Sequence, residues 1–421
     1  MSSGFGRRIL MNSCTIVRRK SIFSVNIPRF IGAAAKASTS SDEAKLVIPV
    51  HVQGMIQAAV LKNADDPLVI ENIEPPNSLD SNEVLIDVHY CALNGSDVLL
   101  MRESQSRQLI LPKILGFEFA GKLSKVGDDA AKKGFKVGDK VVALNKSNYG
   151  GLAQQCKAEM SDVWKIPSAI KTLDTVCLLN DYLTALIGLE KKAELEENEL
   201  VLINVGLGGI GLAAVDIAAN VFKAQVIGVT LSEDRTALIR DKGAFASLRY
   251  KDKKLVKKIE EFAAERDIKD VFDGVEGEKF KKMLDSFTSI YTEEYRNNLL
   301  REDNFAVLVE HLSRKGRLIV AGSAMTKSDN VEDKSSQSPF TITGINLEEY
   351  RRKHPESYRE AGNDVLQYHE EGLIKPSYSL IAGLYRINDA IKFISDLKSS
   401  EKVIIDIKNP NSETTYREKE Q

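Results

Sequence analysis

Apolar and polar positions divide the chain into three stretches with different rhythms. From Met55 to about residue 180, short mixed strands alternate with glycine turns. Met55-Ile56-Gln57-Ala58-Ala59-Val60-Leu61 opens this stretch, and Val84–Tyr90, Leu115–Gly121 and Lys136–Ala143 continue it. Many short strands punctuated by glycine predict a compact, barrel-like β domain over 55–180. From residue 181 to 344 the pattern changes to strand–helix alternation. Strands are expected at 201–205, 225–230, 245–250, 270–273 and 317–321, with helix-spaced apolar residues between them. That alternation predicts α/β architecture, a doubly wound parallel sheet with helices on both faces. Past residue 345 come three helices, at Glu348–Arg352, Asn363–Glu371 and Asp389–Leu397, and a last strand, Lys402–Ile407. Residues 42–54 read as a linker and 410–421 as a frayed polar tail.

One turn in the alternating stretch has a specific chemistry. Val201-Leu202-Ile203-Asn204-Val205 runs into Gly206-Leu207-Gly208-Gly209-Ile210-Gly211, and an alanine-rich apolar run follows. Gly206, Gly208 and Gly211 have G-x-G-x-x-G spacing. The first glycine permits the tight turn, the second lets backbone approach a pyrophosphate, and the third lets helix pack against strand. The helix N-terminus then offers unpaired N–H groups to phosphate. A strand before and another after, at Gln225–Thr230, complete a Rossmann-type dinucleotide-binding unit. The plainer alternative is an ordinary glycine turn that binds nothing.

Composition narrows the picture. The 421 residues are 43% apolar and 28% charged, with a formal net charge of −2. These values suit a soluble globular protein and argue against nucleic acid as the main partner. There is no apolar run of about twenty residues to span a membrane. Residues 1–41 hold Arg7, Arg8, Arg18, Arg19, Lys20, Arg29 and Lys36, many serines and no acid. That is the composition of an organelle transit peptide; the alternative is a basic arm that binds something acidic. Cys14, Cys91, Cys156 and Cys177 are widely spaced, which suits buried thiols in a reducing compartment. The lysine run from Lys251 to Lys258 reads as a solvated helix face.

The pieces ALNGSDV, LPKILGFEFAG, KVGDKVVAL, GGLAQQ, YLTAL, VLINVGLGGIGLAAVDIA, DVFDGV and KGRLIVAGS, in that order, resemble the medium-chain dehydrogenase/reductase superfamily. The likeness covers nearly all of 55–408 and is nearest to the zinc-free quinone oxidoreductase branch. It implies a GroES-like catalytic domain over 55–180, completed by 345–409 and therefore discontinuous, around a dinucleotide-binding domain over 181–344. In the zinc-dependent cousins a Cys stands where Asn94 is and a His where Phe117 is, with Glu118 shared. Asn is a poor zinc ligand and Phe cannot ligate, so no metal is expected. A related group, the mitochondrial 2-enoyl-thioester reductases, carries a tyrosine proton donor near the position of Gln105, which this chain lacks. Relatives dimerise through edge strands, and Phe340–Gly344 is strand-like in the corresponding place. Ser289–Arg296 and Met325–Ser338 depart from the family pattern.

The resemblance implies a zinc-independent, NADPH-dependent reductase of quinones or α,β-unsaturated carbonyls, a homodimer in the mitochondrial matrix, with no nucleic-acid or membrane partner. Hydride delivered to such a substrate builds charge on its carbonyl oxygen, and a positioned donor lowers that barrier. Asn94 is the first candidate donor; its alternative is a residue that merely suits the turn. Tyr182 and Thr184 resemble residues beside the nicotinamide, with wall packing as the alternative. The cofactor-binding set is Thr184, Gly206, Gly208, Gly209, Ile210, Gly211, Ser232, Arg235, Tyr250, Gly322 and Ser323. Asp97 reads as a helix cap rather than a chemical group. Thr230 stands where NAD enzymes carry an acid for the ribose hydroxyls, and Ser232 and Arg235 resemble the pair that receives a 2′-phosphate. Two rivals stay open: the 2-enoyl-thioester reductase, and an NADPH-binding protein with little catalysis that acts through a partner or RNA.

Overall fold

The structure is a computed structural model that describes residues 50–64, 66–102, 110–205, 209–230, 233–249, 252, 254–263, 268–273, 312–321, 341–396, 398–399 and 401–416. The basic segment 1–41, Gln105, Gly206, Gly208, Ser232, Tyr250, Gly322, Ser323 and the two unusual stretches 289–296 and 325–338 lie outside the described residues.

The first β system contains β1 (Ile56–Leu61), β2 (Val69–Ile73), β3 (Glu83–Leu93), β4 (Lys113–Ile114), β5 (Glu118–Val126), β6 (Lys140–Leu144), β7 (Gln155–Glu159) and β8 (Val163–Lys165). Helices α1 (Gly95–Arg102), α2 (Asp128–Lys132), α3 (Thr172–Thr175) and α4 (Thr184–Ile187) interrupt or follow it. Next come β9 (Leu200–Asn204), α5 (Gly209–Asn220), β10 (Gln225–Thr230), α6 (Glu233–Asp241), β11 (Ala246–Arg249), α7 (Leu255–Ala263), β12 (Ile268–Asp273), β13 (Leu312–Ala321) and β14 (Thr341–Ile345). The chain closes with α8 (Leu347–Lys353), α9 (Pro355–Glu370), β15 (Tyr378–Gly383), α10 (Ile387–Ser395), β16 (Lys402–Asp406) and β17 (Thr415–Tyr416).

The six middle strands form one sheet in the order β11-β10-β9-β12-β13-β14, and every ladder in it is parallel. Every residue of β9 is buried, as are five of the six in β10, because helices cover both faces and no polar face is needed. The expected α/β sheet is therefore present, and β14 is its edge. β13 starts at Leu312, ahead of the expected 317. α9 starts at Pro355, ahead of the expected Asn363, where proline suits the first helical turn.

The second large sheet runs β17-β15-β16-β3-β5-β6-β8, with β7 also on β3, so its strands come from both ends of the chain. β3 makes this possible by its length. Its first half pairs with β7, from Glu83 to Asp87, and its last residues pair with β16, Leu93 opposite Val403. Register shifts at Leu85/Ile86 and Val88/Tyr90 mark where β3 bends between the two partners. Thr415 and Tyr416, placed by the sequence in a frayed tail, pair with β15 instead and extend the sheet edge. Both sheets belong to one compact unit. Between them, α5 is buried on nearly all sides, against α4 and the turn before it.

Candidate active site

Strand register brings three polar residues to one end of the large mixed sheet. Leu93 faces Val403 across the β3–β16 ladder, so Asn94, just after β3, meets Lys402, the first residue of β16. Ala92 faces Glu118 across β3–β5, which puts the Glu118 carboxylate beside both. A fourth wall comes from a π-helical turn, Leu179–Leu183, which carries Asn180 and Asp181. Such wide turns recur at functional sites because they displace side chains from the regular helix pattern.

These residues form a closed polar cluster. Lys402 Nζ is 2.9 Å from Glu118 Oε2 and 3.1 Å from Asp181 Oδ2, and it also donates to Asn94 Oδ1. Asn94 Nδ2 donates to Glu118 Oε2 at 3.2 Å. The backbone N–H of Asn180 donates to Glu118 Oε1 at 2.8 Å, and its amide donates to Asp181 Oδ1 at 2.9 Å. Lys402 is 7% exposed and Glu118 is fully buried. Burial acts against the ammonium, but the charges of Asp181 and Glu118 more than offset it and hold the lysine above its ordinary pKa. With Oδ1 committed to Lys402 and one amide hydrogen to Glu118, Asn94 has a fixed amide orientation and one amide hydrogen left. Asp97 fixes the turn from below, accepting from the backbone N–H groups of Asn94 at 2.9 Å and Gly116 at 3.1 Å. Asp97 sits inside the first turn of α1 and, in place of the helix cap expected from the sequence, braces the turn against Gly116.

In the structure the hydroxyls of Tyr182 and Thr184 both have partners within the chain. Tyr182 donates its hydroxyl to Asp216 Oδ2 at 2.7 Å and accepts from Lys242 Nζ at 3.2 Å. Burial, then the charge and hydrogen bond of Asp216, push its phenol well above the ordinary range. A phenol so placed is a joint rather than an acid. Asp216 also accepts from the backbone N–H of Lys375 at 2.9 Å, so the network ties α5 to the C-terminal segment. Thr184 spends its hydroxyl on the Asn180 carbonyl at 2.6 Å, one turn back in the same helical run. Both hydroxyls thus donate within the chain, and each keeps acceptor capacity. Cys91, Cys156 and Cys177 are buried free thiols, and burial raises each thiol pKa, the setting of structural rather than reactive cysteines.

On the cofactor side, the third glycine has the role its spacing implies. A Cβ on Gly211 would stand 2.5 Å from Val205 Cα, so α5 and the end of β9 approach as closely as only glycine permits. Ile210 is buried in the first turn of α5. Gly209 opens the helix, and a Cβ there would stand 1.9 Å from Asp181 Oδ2. Thr230, at the end of β10, is fully buried, and its hydroxyl has no hydrogen-bond partner among the described residues. A buried hydroxyl at that strand end suits a ribose hydroxyl, and the Gly211 contact suits a dinucleotide fold.

Arg235 also has a partner within the chain. The residue is 2% exposed, and its guanidinium donates to the Ser399 carbonyl at 2.6 Å, just ahead of β16. It straps α6 to the C-terminal segment. Phe117, at the position of a histidine ligand in the zinc enzymes, is a buried ring packed edge-on against Tyr149 with centroids 5.7 Å apart.

Lys402, Asp181 and Asn180 were missed in the sequence, as were Asp216 and Lys242. A signal existed for two of them. Asp181 directly precedes the Tyr182 motif, and Lys402 opens a strand whose centre, Val403 to Ile405, is apolar, where a charge needs a partner if it is buried.

Residues 80–170 match the family model described as the alcohol dehydrogenase GroES-like domain. The chain is 27% identical to mouse quinone oxidoreductase-like protein 2 over 356 residues, which is 84% of this chain and 92% of the mouse protein. In fold it is similar to the Escherichia coli quinone oxidoreductase solved in complex with NADPH, with a TM-score of 0.66 at 21% identity over 84% of this chain and 99% of that one. The CurK enoyl reductase is similar to the same degree, with a TM-score of 0.67 at 21% identity over 84% and 99% of the two chains.

Proposed function

The chain belongs to the medium-chain dehydrogenase/reductase superfamily, and from that membership we propose that it is an NADPH-dependent, zinc-independent reductase of quinones or α,β-unsaturated carbonyls. The observation that carries this reading is the buried ammonium of Lys402, which fills the space between Asn94, Glu118 and Asp181. A charge tethered to the chain makes the polar centre of the site an organic one. The phenyl ring of Phe117, packed on Tyr149, supports the same reading, because it brings no ligand atom.

Gly209, Ile210 and Gly211 at the head of α5, with Thr230 at the end of β10, would hold the dinucleotide. When bound, it supplies the hydride. The chain supplies the electrostatics. Asn94 directs its remaining amide hydrogen to the carbonyl oxygen on which negative charge develops. Lys402 holds the Asn94 oxygen and so keeps that hydrogen facing the substrate. No side chain in the cluster is suited to give up a proton: Lys402 is held protonated, and Tyr182 is locked to Asp216. On this reading water is the source of the proton that completes the hydroquinone or the saturated carbonyl.

The test is NADPH oxidation measured against a panel of quinones and enones, with NADH in parallel and after dialysis against a chelator. Turnover that survives chelation and favours NADPH is expected. Tight NADPH binding without turnover on any acceptor would point to a non-catalytic role, and loss of turnover on chelation would reinstate a metal. The reading extends to the mitochondrial matrix, tested with a reporter fused to residues 1–41, and to a homodimer paired through β14, tested by sedimentation at micromolar concentration. A cytosolic reporter or a monomer would remove the respective claim.

A further inference from the structure

The head of α5 already holds an anion that belongs to the chain. Asp181 Oδ2 stands 1.9 Å from where a Cβ on Gly209 would be, so the carboxylate lies directly against the first residue of the helix. It is held there from two sides, by Lys402 Nζ at 3.1 Å and by the Asn180 amide at 2.9 Å. α5 spans Gly209–Asn220, and its N-terminal N–H groups present the positive end of the helix dipole. The same wall carries an open acceptor: Asn180 Oδ1 is buried and has no hydrogen-bond partner among the described residues. The amide cannot turn to correct this without breaking its bond to Asp181. The wall is thus built for a ligand that brings an N–H group, while its electrostatic centre is taken by a carboxylate.

We propose that Asp181 is an affinity-setting residue of the cofactor site, an internal anion that the phosphates of a dinucleotide must displace from the head of α5. The proposal rests on the NADPH reading given above. A phosphate and a carboxylate cannot share one helix terminus in a buried place, because like charges at a few ångström repel strongly where water does not screen them. On displacement, Lys402 keeps Glu118 and Asn94 as partners, so the donor geometry at Asn94 survives while Asp181 turns away. The cost of that displacement weakens NADPH binding below what the glycine turn alone would give.

The experiment is a titration of full-length protein with NADPH, read by nicotinamide fluorescence and by energy transfer from Trp164, the single tryptophan. Wild type, Asp181→Asn and Asp181→Ala are compared. The Asn variant removes the charge at constant size, and the Ala variant removes both. Both should bind NADPH roughly tenfold tighter or more, while nicotinamide riboside, which has no phosphate, should compete equally well in all three. Equal or weaker NADPH binding by the variants would overturn the proposal and leave the cofactor reading standing. A gain confined to Asp181→Ala would show a steric block and overturn the electrostatic account. If neither wild type nor variants bind NADPH or NADH at millimolar concentration, the cofactor reading falls and this proposal with it.

Discussion

Lys402 Nζ lies 2.9 Å from Glu118 Oε2, and strand register alone brings them together: Glu118 faces Ala92 on one side of β3, and Val403 faces Leu93 on the other. An ion pair this deep is fragile in a specific way. Removing one member leaves the other charged and buried, which costs about 3–5 kcal/mol. Lys402→Met should therefore lower stability in urea unfolding by that amount, since Glu118 and Asp181 would then face each other without a counter-charge. Adding Glu118→Gln to Lys402→Met should recover part of the loss. Simple additivity, within about 0.5 kcal/mol, would show that the two residues are not coupled.

Asn94 is the residue through which this pair reaches the chemistry. Its amide oxygen is held by Lys402 and one amide hydrogen by Glu118. Asn94→Ala should lower kcat by about 10²–10³, the usual cost of losing one positioned donor to a developing oxyanion. NADPH affinity should change little, because the donor acts on the acceptor substrate. Asn94→Asp should not rescue, since a carboxylate offers no donor and adds a third negative charge to the cluster. If kcat survives in both variants, the donor is elsewhere.

How much of this was legible beforehand differs between fold and site, and the reason is physical. β10 runs from Gln225 to Thr230, as its β-type residues between loop signals imply. The glycine spacing located α5 for the same local reason, and Gly211 meets Val205 as the pattern requires. Side-chain partners are not local. Tyr182 and Asp216 lie 34 residues apart, and Arg235 and Ser399 lie 164 apart. A tyrosine in a motif carries the same letter whether its hydroxyl faces a ligand or a buried aspartate. Lys402 was hidden most of all. It opens β16, and only the bend in β3 shows that the start of this strand meets Asn94.

Asp97 gives the fold a pH dependence of definite sign. Burial pushes its carboxyl from 3.8 up to about 7, and its backbone hydrogen bonds to Asn94 and Gly116 only partly oppose this. Well below pH 3.8 the group is protonated in folded and unfolded chains alike, so it contributes no difference. As pH rises toward 7 the unfolded chain ionises while the folded one keeps its proton, so stability falls through that window and levels off above it. Asp97→Asn removes the titration. Variant stability relative to wild type should rise by roughly 3–4 kcal/mol between pH 4 and 8 in urea unfolding. Parallel curves for the two proteins would refute the assignment.

Thr230 separates the needs of the fold from those of the ligand. It is fully buried at the end of β10, and its hydroxyl has no partner among the described residues. An unsatisfied buried hydroxyl is a cost to the folded chain, of order 1–3 kcal/mol. Valine has nearly the same shape without the hydroxyl, so Thr230→Val should leave stability unchanged or raise it. If the hydroxyl is kept for a ribose oxygen, the same substitution should weaken NADPH binding by about tenfold, the worth of one such bond at 1.4 kcal/mol. Stability and affinity would then move in opposite directions, which simple damage to the fold cannot produce. Thr230→Asp extends the argument to cofactor choice. A carboxylate there repels a 2′-phosphate and accepts from two ribose hydroxyls, so NADPH affinity should drop while NADH affinity holds or improves. Arg235→Ala serves as the control, because its guanidinium is spent on the Ser399 carbonyl. That variant should lower the melting temperature without changing the ratio of NADPH to NADH affinity. A selective loss of NADPH binding in Arg235→Ala, with Thr230→Val neutral, would return the 2′-phosphate to the arginine and take the ribose from Thr230.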